Sequence, residues 1–240
     1  MRKLLIFSIL TVLTLTSCKD DSAIFNESAP IRSYGNDVQI MAQFIEVDET
    51  SATYVLNPNK KITAIDYIIN QGRQNLMQVS QVNRNRFLTE MKDVNNLLDM
   101  IKQSESVSSY IYSTDFSNSV VDADNKDEFN ISPLTENTFS HRTLGSIKLN
   151  EARDNSTSFY TESDIIMTVD APVNSTFYFA QITISDQDNQ NVKTIIISGV
   201  KSPLSTHSYY LTTSSMSASY KKVSGTSILG DSNITITFSK

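Results

Sequence analysis

The sequence predicts a mainly β protein: an antiparallel β-sandwich with one inserted amphipathic helix and an additional C-terminal β segment. Three observations carry that reading. Ile, Val, Tyr, Phe and Thr are plentiful, whereas the 240 residues include only 6 Gly and 5 Pro. Short runs alternate apolar and polar residues at the period of a half-buried strand. A sustained helical period replaces that alternation in one stretch, from about 84 to 104.

The chain opens differently. Arg2 and Lys3 precede an apolar run from Leu4 to Leu15, and Leu15-Thr16-Ser17-Cys18 places small residues before the sulfur. A positive start, an apolar stretch short for a bilayer and a small-residue cleavage site make residues 1–17 a secretory signal peptide. Ending that signal on the single cysteine resembles the lipobox of bacterial lipoproteins, which implies a lipid on the Cys18 thiol and a membrane partner through that anchor. Lys19-Asp20-Asp21 resembles the acidic export signal of surface-exposed lipoproteins in the Bacteroidota. Asp21-Ser22-Ala23 is similar to the O-glycosylation acceptor of that phylum, with Ser22 taking the sugar. Together these resemblances imply an outer-membrane, lipid-anchored protein displayed at the cell surface.

Residues 18–36 lack periodicity and carry Ser, Asn, Asp, Pro30 and Gly35, the composition of a flexible tether. A β unit is expected over 37–200. Val38, Ile40, Ala42 and Phe44 alternate with Gln39, Met41 and Gln43 and predict a strand. Asp48-Glu49-Thr50 is a polar turn, and Ala52, Tyr54 and Leu56 form a second strand that Asn57-Pro58-Asn59 stops. Ile62 to Ile69 reads as a third strand, with a short helix as its competitor because Ile62, Ile65 and Ile69 also fit a helical stripe. Phe87, Leu88, Met91, Val94, Leu98 and Ile101 then recur at three, four and seven residues, the stripe of a core-packed amphipathic helix. On that reading Met91 and Met100 are packing residues.

The pattern weakens from Ser104 to Thr161, where Tyr110-Ile111-Tyr112 and Ile147 to Leu149 are strand candidates. Ile165, Met167 and Val169 restore the alternation. Phe177 to Ile184 and Val192 to Val200, flanking the polar run Asp186 to Asn191, predict a hairpin. A C-terminal β segment over 201–240 contains Tyr209 to Thr212, Ser217 to Val223 and the alternation Ile234, Ile236, Phe238. It packs on the same body or forms a small second unit. No fixed-period repeat is present.

Two of these stretches, Val38 to Ile69 and Pro172 to Val200, resemble strands A to C and F to G of a fibronectin type III or related immunoglobulin-like sandwich. Thr176 and Tyr178 stand where those modules place the Thr-x-Tyr of the tyrosine corner, which implies a hydroxyl tied to an upstream loop. Pro172 and Asn174 depart from the Leu and Pro that usually precede that tyrosine, and the chain has no tryptophan for strand C.

Charge and composition exclude several functions. The formal charge of −6 falls to −8 once Arg2 and Lys3 leave with the signal, and no Lys/Arg cluster is present. Phosphate neutralisation supplies most nucleic-acid affinity, so nucleic acid is excluded as a partner. No Gly-x-Ser-x-Gly occurs, lipidation leaves no free thiol, and His141 and His207 read as loop residues without a second histidine at metal spacing. Glu90 and Asp93 share a helix surface that solvation explains. Asp122-x-Asp124 opens like a calcium loop, yet Lys126 stands at a ligand position and Asp127 where the turn wants glycine. Asp186 and Asp188 are metal candidates that their turn position also explains. Tyr209, Tyr210 and Tyr220 form a candidate ligand patch. No catalytic residue and no cofactor is implied. The expected function is a non-catalytic surface lipoprotein that presents a β-sandwich for binding or assembly, with a protein or glycan partner. Alternatives are a glycan-binding accessory protein of a polysaccharide-uptake system and a hydrolase with an unrecognised site.

Overall fold

A computed structural model describes residues 32–48, 50–62, 65–103, 107–114, 117–122, 130–134, 142–149, 155–161, 164–170, 176–188, 191–200, 206–212, 220–229 and 234–240. The expected lipidation site Cys18 and the sugar acceptor Ser22 lie outside these residues, as do Asp124 and His141. Among the described residues no helix is long and apolar enough to cross a membrane.

The fold is mainly β. Strands β3 (Ser109–Ser113), β4 (Asn118–Asp122), β7 (Asn155–Tyr160), β9 (Phe177–Ser185), β10 (Val192–Val200) and β12 (Tyr220–Ser227) make a six-stranded sheet in the order β4-β3-β10-β9-β12-β7. Its pairings are antiparallel except β3–β10, which is parallel. Strands β5 (Asn130–Pro133), β6 (Thr143–Leu149), β8 (Ile165–Asp170), β11 (Thr206–Thr212) and β13 (Ile234–Ser239) make a second sheet, wholly antiparallel, in the order β5-β11-β8-β13-β6. The expected hairpin is β9–β10, paired from Ser185–Val192 to Phe177–Val200.

Period-two side chains place the core. Tyr178, Ala180, Ile182 and Ile184 of β9 point into an apolar cluster shared with Met167, Val169, Ile236 and Phe238 of the other sheet. The two sheets therefore face each other across one core. The opposite face of β9 and β10, with Phe177, Phe179, Ile196 and Val200, enters a second cluster built with the helices. Burial on both faces explains the unbroken run Ile195-Ile196-Ile197. The sheet edges meet at β6 and β7, where a Cβ on Gly145 would stand 3.0 Å from Thr157 Oγ1 and 3.3 Å from Phe159. Glycine at this position permits that approach.

The helical layer corrects two sequence expectations. Residues 38–44 are not a strand: α1 spans Tyr34–Ala42, starting inside the stretch read as tether. Ser33 caps it, its Oγ accepting from Asn36 N at 3.3 Å. The buried residues Asp37, Val38, Met41 and Ala42 recur at helical spacing. The Ile62 to Ile69 strand is likewise replaced by the competing helix, α2 (Asp66–Met77), which buries Ile69, Gly72 and Leu76. Between them β1 (Ile45–Asp48) and β2 (Thr53–Leu56) pair as a hairpin. Asp48 Oδ1 closes its turn by accepting from Thr50 N at 2.8 Å and Ser51 N at 3.0 Å.

The expected helix is present as α3 (Gln81–Lys102), capped by Ser80. Phe87, Val94 and Leu98 are fully buried against the six-stranded sheet and Met91 packs beside them, but Met100 is 69% exposed and is no packing residue. Polar contacts fix the layer. Asn83 Nδ2 donates to the buried carboxylate of Asp37 at 2.7 Å, near the positive end of α3. Asn95 brackets the backbone of Tyr54, and Tyr54 Oη meets Ser198 Oγ at 3.0 Å on the sheet. Tyr34 Oη donates to Glu90 at 2.7 Å beneath the Arg86 guanidinium, 3.9 Å from the ring centroid. Burial raises the Tyr34 pKa above its ordinary value.

Candidate functional site

The predicted tyrosine patch is not assembled. Tyr209 is fully buried between the sheets, where its hydroxyl lies 2.6 Å from Ser113 Oγ. Burial pushes its pKa well up. Tyr210, the next residue on β11, turns to the outer face of the five-stranded sheet and is 40% exposed. Its hydroxyl donates to Asp164 Oδ2 at 2.8 Å, and this bond to a carboxylate raises its pKa. Tyr220 belongs to the other sheet and pairs in register with Tyr160 of β7. The three residues thus take three directions, because adjacent strand positions face opposite ways and β11 and β12 lie in different sheets.

What forms instead is an open corner at β7 and β12. Val223 and Phe159 point into the core, so Tyr220, Lys222, Ser158 and Tyr160 project from the outer face of the six-stranded sheet. The rings of Tyr160 and Tyr220 meet edge to face, with centroids 5.1 Å apart at 66°. Tyr160 is 72% exposed, and Ser156, Ser158 and Lys222 are exposed beside it. The residues continue the pleat as a hydroxyl-bearing surface with an aromatic pair at one end.

Behind the pair lies a charged group the sequence reading missed. Lys221 shares the core-facing side of β12 with Val223 and is only 2% exposed. Lys222 pairs with Ser185, so the register carries Lys221 toward Asp186, itself buried. Desolvation lowers the Lys221 pKa, and the negative charge of Asp186 opposes that shift. Asp186 Oδ2 also accepts from Asn191 Nδ2 at 2.8 Å across the hairpin turn. The metal candidate Asp186 is therefore engaged by an amide and by the field of a lysine, while Asp188 sits in the turn itself. Asp122 ends β4. Among the described residues no group of three or more His, Cys, Asp or Glu side chains can hold a metal ion.

Other expectations meet mixed outcomes. His207 lies in β11 rather than a loop, and burial lowers its pKa. Tyr178, read as the tyrosine corner, points into the core over Gly199, its partner on β10. Its hydroxyl has no partner among the described residues; the Ser113 hydroxyl near it is bonded to Tyr209. Burial pushes the Tyr178 pKa up to about 12. The upstream loop, 171–175, lies outside the described residues.

Two signals could have found the corner. Asn155-Ser156-Thr157-Ser158-Phe159-Tyr160 runs three hydroxyl residues into an aromatic end, and Tyr220-Lys221-Lys222-Val223 puts a lysine in the register of a core valine. No protein-family model matches the chain, and a search of curated proteins finds no match.

Proposed function

We propose that this chain is a non-catalytic, lipid-anchored outer-membrane protein that displays a β-sandwich at the cell surface for binding, with the Tyr160–Tyr220 corner as its binding face. The observation that carries the proposal is the exposed edge-to-face pair itself. A tyrosine 72% exposed on a sheet edge retains apolar surface in water. A flat partner that stacks on it removes that surface, and neighbouring hydroxyls orient the partner. The lipobox ending at Cys18 supports the location. Of the two stretches resembling a fibronectin type III or immunoglobulin-like module, Pro172 to Val200 supports that kinship through the β9–β10 hairpin; Val38 to Ile69 does not, because α1 and α2 stand where its first and third strands are expected.

The same pair favours a glycan as ligand. Sugar rings present flat C–H faces to aromatics and hydroxyls to Ser156, Ser158 and Lys222, which matches the chemistry of the corner. Mature protein in detergent, applied to a glycan array, is expected to bind a subset of glycans. Tyr160→Ala should abolish that binding and Tyr210→Ala, on the other sheet, should leave it intact. Binding that survives Tyr160→Ala would remove the corner from the proposal, and an array without any bound glycan would remove the glycan.

A further inference from the structure

Ten large apolar side chains are exposed among the described residues, and five of them, Ile65, Tyr67, Ile68, Met77 and Val82, fall between residues 65 and 82. They belong to α2 and the start of α3. α2 buries only Ile69, Gly72 and Leu76, and it packs on α1. Its outward stripe, Tyr67, Gln71, Gln74 and Gln78, is exposed and carries no charge. Solvated helix faces normally carry charged residues, so a face with amides at its centre and apolar side chains at its ends is better suited to an interface than to bulk water.

The position of the N-terminal tether identifies the surface that covers this face. Arg32 is the first described residue; its guanidinium donates to Gln78 Oε1 at 2.5 Å and its carbonyl accepts from Asn83 Nδ2 at 2.9 Å. The chain therefore enters at the α2–α3 corner, between the exposed Met77 and Val82. Arg32 stands 14 positions after Cys18, so the lipid lies within ~50 Å of this corner even on a fully extended chain. Charge agrees. Residues 60–84 contain Lys60, Lys61, Arg73 and Arg84 against Asp66 alone, in a chain whose formal charge is −6. This stretch carries a local excess of cations in an acidic protein, with Lys61 exposed and Lys60, Arg73 and Arg84 half-buried, and an anionic headgroup layer complements that excess.

We propose that the α2 face and the α2–α3 corner lie on the surface of the bilayer that holds the anchor. Ile65, Tyr67 and Met77 reach the boundary between headgroups and acyl chains, as the apolar side of an interfacial helix does. The lipid on Cys18 fixes attachment, and a shallow helix on the same bilayer fixes orientation. The inference rests on acylation of Cys18 and adds the side of the protein that meets the lipid.

The chain contains no tryptophan, so Tyr67→Trp introduces a single indole, excited at wavelengths where tyrosine does not absorb. The full-length acylated protein is reconstituted into vesicles of phosphatidylethanolamine and phosphatidylglycerol with brominated acyl chains, which quench on contact. The control is Tyr210→Trp, on the outer face of the five-stranded sheet, away from the helices. Tyr67→Trp emission is expected to shift to the blue and to fall relative to unbrominated vesicles, while Tyr210→Trp emission stays water-like and unquenched. Acylated protein whose Tyr67→Trp emission behaves like that of Tyr210→Trp overturns the proposed orientation and leaves the α2 face to a protein partner. The intact mass of the same sample separates the two levels: an unmodified Cys18 overturns the anchor itself, and the orientation with it.

Discussion

Gly199 illustrates how one position is fixed by another. It pairs with Tyr178 across β9–β10, and a Cβ there would run into the tyrosine ring and hydroxyl. The ring covers backbone that a side chain would otherwise occupy, the known remedy for glycine in a strand. Gly199→Ala is expected to destabilise the protein by about 1–3 kcal/mol, the usual cost of overpacking a core. Gly35→Ala in α1, where nothing lies within 4 Å, should be neutral or stabilise by up to about 1 kcal/mol. Urea unfolding of the two variants tests both, and equal midpoints would remove the steric account of Gly199. Neither effect was legible in the sequence, where both glycines look alike. Tyr209 and Tyr210 show the same limit: adjacent in sequence, one is core and the other surface, and only the strand's facing decides which.

At the level of elements, legibility followed length. The α3 stripe repeats over 22 residues, and its period predicts the helix within three residues of its start. α1, nine residues long, also satisfies a period-two reading, because Val38, Ile40 and Ala42 fit a strand as well as Val38, Met41 and Ala42 fit a helix. In α2 the glycine at 72 weakened the helical signal; it packs tightly there, since a Cβ would stand 2.6 Å from Ile62 Cδ1. β7 has no clear strand signal because polar Asn155 and Thr157 share the inward face with Phe159 while serines line the outward one, so little apolar contrast remains. The stripe of α3 makes a quantitative claim. Leu98 is fully buried against the six-stranded sheet, so Leu98→Ala should cost about 2–5 kcal/mol. Met100→Ala, on the exposed side, should change stability by less than ~0.5 kcal/mol. Similar thermal midpoints for the two variants would mean that α3 does not cover the sheet.

For the whole molecule, local pattern revealed the strands and the β9–β10 hairpin but not the arrangement of the sheets. Sequence-adjacent strands separate: β7 and β8, β10 and β11, and β12 and β13 each divide between the two sheets. The parallel β3–β10 pairing joins residues more than eighty positions apart, which no turn signal announces. The C-terminal alternation was read as a paired strand, and β13 proves to be internal, hydrogen-bonded to β6 on one side and β8 on the other. Deleting residues 234–240 therefore does more than bare an edge. It detaches β6 and opens the core at Ile236 and Phe238. The truncated protein is expected to be insoluble or to lose cooperative melting, and a soluble product with the parent's melting temperature would contradict the internal placement.

That placement also sets an order in time. Among the described residues β6 has one strand neighbour, β13, and Leu149 waits 85 residues for its partner Ile234. At ordinary rates of synthesis that interval is roughly 4 to 17 s, during which Ile147 and Leu149 have no ladder to join. A chain made N-terminus first thus carries an unfinished sheet through about a third of its own production. A polypeptide whose sheet cannot close early stays open until its late strands have emerged.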